Sequence, residues 1–391
     1  MKLSLLGLVI LSLLVFALNG SLWWLIGAMS LLWLWRFLFG TYMLRENEMP
    51  PALVLHPLGM PPAHDERPQF RKLLGAVVEQ RAGRYPDERK LENILHDLDE
   101  SPMPPEPVAL PDDPSDLVVI LVSGVLWECV SDVALPFGRG KSVDVATEYD
   151  YLKPRYASIE VVHVRGIATS EHNARIVEAA IRKHRDAANV IIVAYSKGVP
   201  DTLEALRRMG DDLPVNVRAL VSVAGVVSGS PLADWLNRYK KILELLPTPG
   251  ACSHVNENFL KSISRDRCLH WLRKHWHTLP HGLHFYSLVT FVAPQRMHWF
   301  LRMLYAKLAE VEPRNDSHML IHDQVLPGAA LLGYVKSDHW AVALPFNRSK
   351  RSLWNRLLGY NNAFPREVLF EAILRYVEED MRVRDEDGMK S

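Results

Sequence analysis

VIIVAYSKGVPDTLEAL, residues 190–206, is the stretch that decides the fold. Its first half is an apolar run rich in β-branched residues, which predicts a buried strand, and its second half carries apolar residues at helical spacing. Ser196 stands between the two halves, with small residues two positions away on either side, Ala194 and Gly198. The sequence therefore predicts a strand that turns sharply into a helix at Ser196.

A turn of this kind exposes the serine hydroxyl at the edge of a sheet, and the start of the helix favours negative charge beside it. The pattern is typical of a nucleophile elbow, Gly-x-Ser-x-Gly, with Ala194 in place of the first glycine. A serine hydroxyl becomes a good nucleophile only when a base removes its proton, and a carboxylate must orient that base. In folds built around such an elbow, the acid and then the histidine follow the serine along the chain.

Two loops downstream supply these groups. His339 follows the last apolar strand, and Asp316 follows a predicted helix at 296–310. We assign Ser196 as the nucleophile, His339 as the general base and Asp316 as the orienting carboxylate. Asp323 lies in the same loop as Asp316 and is left open as an alternative acid. Asp338 is a weaker choice because adjacent side chains diverge and it would not reach the ring of its neighbour.

Strands and helices alternate around the elbow, which predicts an α/β fold with a mostly parallel central sheet flanked by helices. A glycine turn at Ser123-Gly124 follows one of these strands, so the backbone N–H groups of Val125 and Lys197 are the expected oxyanion donors. The Lys197 side chain is expected to pair with Asp201 one helical turn later. Strands are predicted at 117–122, 159–164, 218–224, 285–292 and 331–335, and helices at 171–185, 296–310 and 366–383, with a frayed tail at 385–388.

The region at about 232–283 carries amphipathic helical patterns between two core strands and is expected to form a helical cap, or lid, over the active site. Its histidines, at 270, 275, 277, 281 and 284, lack the HExxH pattern and a carboxylate at matching spacing. We therefore predict no metal site there.

The N-terminal residues 1–44 contain two apolar runs, 3–18 and 22–39, separated by Asn19-Gly20-Ser21. Each run is at the short end of a membrane-spanning helix, and tryptophans lie near the ends of the second, so we expect a transmembrane hairpin. Basic residues on both outer sides place the remaining chain on the cytoplasmic face, with the bacterial inner membrane as the expected location.

Residues 45–115 are studded with proline and charge, which predicts an extended connector, with short helices at 69–81 and 87–98. A docking arm that packs on the catalytic domain is the open alternative. The third predicted domain, 116–391, then holds the sheet and the cap.

Composition limits the partners. The chain has 391 residues, with 45 Lys and Arg against 45 Asp and Glu, and no basic stripe, so nucleic acid is not an expected partner. Its three cysteines lack CxxC spacing, which argues against a disulfide framework. Composition leaves the oligomeric state undetermined.

Four motifs together resemble a lipase-like esterase branch of the α/β-hydrolase superfamily with a Ser-Lys-Gly nucleophile motif. They are residues 166–174 (GIATSEHNA), 195–201 (YSKGVPD), 229–234 (GSPLAD) and 338–340 (DHW). Ser317 departs from this branch, where a glycine often follows the acid. The resemblance implies hydrolysis of a small-molecule or lipid ester by a Ser-His-Asp triad without a cofactor. A catalytically silent membrane-bound interaction protein and an acyltransferase with the same triad are the alternatives.

Overall fold

The computed structural model describes residues 59–83, 90–98, 100–102, 108–124, 151–238, 257–297, 299–343 and 364–388, together with Gly27, Met29 and Ser30, which are helical. Apart from these three residues, the predicted hairpin at 3–39 lies outside the described residues. Among the helices that are described, none combines the length and the apolar character that crossing a membrane requires.

A parallel sheet forms the centre of the domain. Its strands are arranged in the order β1-β7-β6-β5-β4-β2-β3, and each neighbouring pair is parallel. Continuous apolar runs suit such strands because helices cover both faces of the sheet. The strands are β1 His64–Asp65, β2 Ser115–Val122, β3 Tyr156–Val162, β4 Asn189–Tyr195, β5 Val217–Val223, β6 His284–Thr290 and β7 Ala330–Val335. The predicted strands are confirmed, with ends that differ by a few residues.

Successive residues of β4 enter two different cores. Val190 and Ile192 pack in the cluster shared with helices α2 and α3, whereas Ile191 and Val193 pack in the cluster shared with α1 and α8. This alternation follows from the two-residue side-chain period of a strand. The helices are α1 Arg67–Gln80, α2 Ser170–Lys183, α3 Gly198–Met209, α4 Pro231–Arg238, α5 Glu257–Ser262, α6 Arg265–His275, α7 Trp299–Leu308 and α8 Arg366–Gly388.

Part of the proline-rich segment packs on the sheet. Strand β1 pairs with β7, where His64 lies opposite Ala330, and α1 buries Phe70 and Leu74 completely against α8 and the sheet. These contacts show that the described part of this segment packs on the sheet, as in the docking-arm alternative, and is not an extended connector. The sheet and its core therefore begin well before residue 116, where the sequence placed the domain boundary.

Two predicted local elements differ from the structure. In the described part of 87–98, the helical residues are the short 3₁₀ turn Leu91–Asn93. The expected frayed tail at 385–388 is wrong, because α8 continues to Gly388. Arg218 of β5 donates to the Asp385 carboxylate at 2.5 Å and holds this last turn to the sheet.

Between β5 and β6 the described residues form α4, α5 and α6, as the helical patterns predict. Phe259 and Leu260 of α5 and Cys268 of α6 pack in one buried cluster with Met319. These helices therefore lie against the loop that carries Asp316. Residues 239–256 of the predicted cap lie outside the described residues.

Candidate active site

The turn between β4 and α3 presents Ser196. Its backbone φ of 54° is left-handed, a conformation that a residue with a side chain adopts only when its surroundings enforce it. At Gly198 a Cβ atom would lie 2.7 Å from the carbonyl oxygens of Val122 and Ser123, so only glycine fits there. Ala194, two residues before the serine, is fully buried.

Three loops bring the predicted serine, histidine and aspartate together. Nε2 of His339 lies 2.8 Å from the Ser196 hydroxyl oxygen, and Nδ1 of the same ring lies 2.7 Å from Oδ2 of Asp316. All three side chains are buried, at 4%, 4% and 0% exposure for Ser196, His339 and Asp316. The hydroxyl, imidazole and carboxylate thus form a continuous hydrogen-bonded chain of the kind that activates a serine.

Asp316 is held as an anion. Its Oδ1 accepts the backbone N–H groups of His318 at 2.9 Å and Met319 at 2.7 Å, and its Oδ2 accepts the Thr290 hydroxyl at 2.7 Å. Burial raises the pKa of Asp316, but the charge of His339 and the hydrogen bonds from His339 and Thr290 outweigh it and hold the pKa below its usual value. The left-handed Ser317, with φ of 85°, makes the bend that aims both N–H groups at the carboxylate.

With the geometry established, the comparison with known structures is decisive. The chain is similar to the metagenomic carboxyl esterase MGS0156, whose crystal structure superimposes with a TM-score of 0.68. The two sequences are 32% identical, and the match covers 81% of this chain and 93% of the esterase. The chain belongs to the α/β-hydrolase superfamily. Within it, the chain belongs to the family of this carboxyl esterase and is a serine ester hydrolase.

Two further structures resemble parts of this hydrolase. They are the mature lipase BlEst2 of Bacillus licheniformis (18% identity, 60% of this chain, 89% of that chain, TM-score 0.42) and the phospholipase PlaB of Legionella pneumophila in complex with thio-NAD (12%, 54%, 44%, 0.37). Identities and scores this low carry no argument about function. No protein-family model and no curated protein matches the sequence.

Asp323, the alternative acid, does not meet the imidazole. It is fully buried, and its Oδ1 lies 3.1 Å from Nη2 of Arg265 in α6. Burial raises the pKa of Asp323 to about 7, in spite of Arg265. Asp338 accepts the backbone N–H groups of Trp340 and Ala341 at 3.0 and 2.9 Å and so holds the turn beside His339. Of the carboxylates considered, Asp316 is the one at the ring.

The side chain of Lys197 turns away from the serine. It is completely buried and donates to both oxygens of Asp201 at 2.7 and 2.8 Å, which confirms the predicted pair. Its backbone N–H lies at the N-terminal end of α3, where the helix dipole favours an anion. Val125, the other predicted oxyanion donor, lies outside the described residues. Its neighbour Gly124 lies so close to Ser196 that a Cβ atom there would be 2.9 Å from the serine Cβ.

Sequence reasoning missed three residues of this hydrolase site. Thr290 ends β6 and binds Asp316, and the Tyr195 hydroxyl donates to the His339 carbonyl oxygen at 2.5 Å. The ring of His318 lies parallel to that of His339. For Thr290, its place at the carboxyl end of a central strand was the available signal, because functional side chains collect at that edge of a parallel sheet.

Within the part of the chain that the structure describes, Asp316, His318 and His339 are also the group whose ligand atoms lie close enough for a metal ion, within 4.8 Å of one another. Both oxygens of Asp316 and both ring nitrogens of His339 already have hydrogen-bond partners. The arrangement therefore fits a proton-transfer chain better than a metal centre.

An apolar pocket opens beside the nucleophile, between the sheet and α8. It encloses about 670 Å³, open solvent at its mouth included. Arg366 is the charged member of its described lining, which consists of Leu121, Val122, Ser123, Gly124, Val161, Val193, Tyr195, Val223, Val342, Ala343, Arg366, Leu369, Phe370 and Ile373. Gly124 and Tyr195 thus border both the pocket and the site of Ser196.

Proposed function

We propose that this protein cleaves carboxylic esters by way of an acyl-enzyme on Ser196. His339 acts first as a general base and then as a general acid, and Asp316 orients it. The observation that carries the proposal is the single imidazole hydrogen-bonded to the serine at 2.8 Å and to the carboxylate at 2.7 Å. This unbroken series of hydrogen bonds from Ser196 to Asp316 favours an enzyme over a catalytically silent interaction protein.

The proposed reaction has two halves. Ser196 attacks the ester carbonyl while its proton passes to Nε2 of His339, and the resulting imidazolium gives that proton to the leaving alcohol. In the second half, His339 takes a proton from water, which attacks the acyl-enzyme. The imidazolium then returns that proton to Oγ of Ser196 as the acyl–oxygen bond breaks and the acid leaves. In both halves the backbone N–H group of Lys197 is the proposed oxyanion donor within the described residues, and Val125 remains the second donor that the sequence predicts. Asp316 stays ionised throughout and stabilises the imidazolium.

The pocket supports a substrate with an apolar acyl group. Its lining is dominated by valine, leucine and isoleucine side chains, and it includes Gly124, which lies close to Ser196. Burial of each further methylene contributes about 0.8 kcal/mol, so turnover should favour longer chains until the pocket is filled.

We also propose that residues 3–39 tether the enzyme to a membrane, with the catalytic domain on the cytoplasmic side, and that residues 232–283 form a cap. The two apolar runs, in which Arg36 is the one charged residue, support the tether. The packing of α5 and α6 against Met319 supports the cap, because it places these helices beside the acid loop. A tether of this kind would bring the site close to lipid esters.

The experiment is a series of p-nitrophenyl esters of increasing chain length, given to the wild type, Ser196→Ala and Ser222→Ala. Ser222 is a matched control, since it is a buried serine of β5 whose hydroxyl has no hydrogen-bond partner within the described residues. We expect Ser196→Ala to lose turnover and Ser222→Ala to keep it. Full turnover by Ser196→Ala would refute the proposal. Addition of an alcohol acceptor shows whether the acyl group passes to water or to the acceptor.

A further inference from the structure

His318 lies face to face with the imidazole of His339. The two rings are 12° from parallel, and their centroids are 4.4 Å apart. The hydrogen-bonded chain runs from Ser196 through His339 to Asp316, and His318 takes no part in it. His318 nevertheless packs against His339, the ring that transfers the proton.

Hydrogen bonds fix His318 on three sides. Its backbone N–H donates to Asp316 at 2.9 Å, its ring Nδ1 lies 2.9 Å from the Ser317 hydroxyl, and its carbonyl oxygen accepts the Ser230 hydroxyl at 2.6 Å. Ser230 belongs to the GSPLAD motif at 229–234. The motif itself is held closely, because a Cβ atom on the left-handed Gly229 would lie 2.5 Å from the Cα of Arg265. The GSPLAD motif, which has no role in proton transfer, thus holds His318 against the ring of His339.

The imidazole of His339 loses one of its two anchors during the reaction. In the resting site it is held at Nε2 by Ser196 and at Nδ1 by Asp316. Once Ser196 carries an acyl group, the bond at Nε2 is gone and the bond to Asp316 alone remains. One hydrogen bond does not prevent rotation of the ring, whereas a flat group packed on its face does.

We propose that His318 is a positioning residue, whose ring keeps the imidazole of His339 aimed at the reacting oxygen after Ser196 has been acylated. This inference rests on the proposed roles of Ser196 and His339. Burial, together with the charge of His339, lowers the pKa of His318 to about 3, so the ring is neutral when its neighbour becomes charged. A neutral ring avoids the charge repulsion that a protonated His318 would exert on the imidazolium of His339.

Two substitutions at one position test the proposal. His318→Phe keeps a flat ring without nitrogens, and His318→Ala removes the ring. A loss of positioning by about 1 Å costs about 100-fold in rate, so we expect kcat of His318→Ala to fall by about 10- to 100-fold with KM nearly unchanged. His318→Phe should restore kcat to within about threefold, because the stacked face is kept.

The matched control is His322→Ala, a partly exposed histidine of the same loop that faces Asp323 at 3.9 Å. It should keep the wild-type kcat. A His318→Ala enzyme with normal kcat would overturn the proposal. So would equal losses in the Ala and Phe variants, or a loss fully accounted for by the unfolded fraction in thermal melts, since these outcomes assign His318 to another role.

A second readout needs no turnover. In Ser196→Ala protein, the Nδ1 proton of His339 should give a downfield NMR signal, assigned by its disappearance when His339→Gln is added. We expect this proton to exchange faster with water after His318→Ala and at the parent rate after His318→Phe. Unchanged exchange in the Ala variant would overturn the proposal. Hydrolysis by Ser196→Ala would instead refute the nucleophile assignment, so the two failures are distinguishable.

Discussion

Two buried carboxylates in one loop give a sharp test of the acid. Asp316 and Asp323 are both fully buried, but Asp316 faces the imidazole at 2.7 Å and Asp323 faces Arg265. Replacing each in turn by asparagine removes the ionisable carboxyl group with almost no change in volume. We expect Asp316→Asn to be nearly inactive and Asp323→Asn to keep its kcat.

The hydrogen bonds around Asp316 predict the size of the loss. Two backbone N–H groups donate to Oδ1, so an asparagine must place its carbonyl oxygen there and its NH₂ group at the position of Oδ2, facing His339. Nδ1 would then have to accept a hydrogen bond, which leaves the proton on Nε2, where the base must be free. A triad in the wrong tautomer loses about 10³- to 10⁴-fold in kcat, or about 4–5 kcal/mol of transition-state stabilisation.

The assay is hydrolysis of a p-nitrophenyl ester at saturating substrate, with circular dichroism and thermal melts to show that both variants are folded. Asp323→Asn should retain kcat to within about threefold, because its carboxylate touches no group of the proton path. The acid assignment would be refuted if Asp316→Asn kept more than about a tenth of the activity, or if Asp323→Asn lost more than Asp316→Asn did.

Three further substitutions test other parts of the account. Gly124→Ala places a Cβ atom 2.9 Å from the Cβ of Ser196. It should lower kcat/KM for an acetyl ester by about 100-fold. A wild-type kcat/KM would contradict the close approach of Gly124 to Ser196. Lys197→Met leaves Asp201 charged and buried, so it should lower the free energy of unfolding in urea by about 3–5 kcal/mol. The double variant with Asp201→Asn should recover most of this loss. Asp323 binds its proton more tightly when folded, with a pKa of about 7 against 3.8, so stability should fall as pH rises from about 4 to 7. Asp323→Asn should flatten that fall, by at most about 3 kcal/mol between melts at pH 5 and pH 8, and an unchanged pH dependence would count against the raised pKa.

The central part of the fold could be predicted because its signals are local. The buried strand at 190–195 and the helical spacing after Gly198 define the elbow without any knowledge of tertiary contacts. His339 could be found in the same way, as a histidine directly after the last apolar strand. These positions obey the geometry of a parallel sheet, where functional groups follow strand ends.

Other features depend on contacts that no local pattern encodes. Strand β1 has two residues, His64 and Asp65, and pairs with a strand more than 250 residues away, so no periodicity could reveal it. The choice between Asp316 and Asp323 depends on backbone donors created by the left-handed Ser317. A serine at that position gave no sign of the bend, because the conformation is usual for glycine.

The most direct measurement of the central claim is to label the full-length protein with a fluorophosphonate and locate the adduct by mass spectrometry of its peptides. We predict one adduct, on Ser196, formed by the wild type and by Asp323→Asn, and absent from Ser196→Ala. An adduct on another serine, or a folded wild-type enzyme that hydrolyses esters but never reacts at Ser196, would contradict the account.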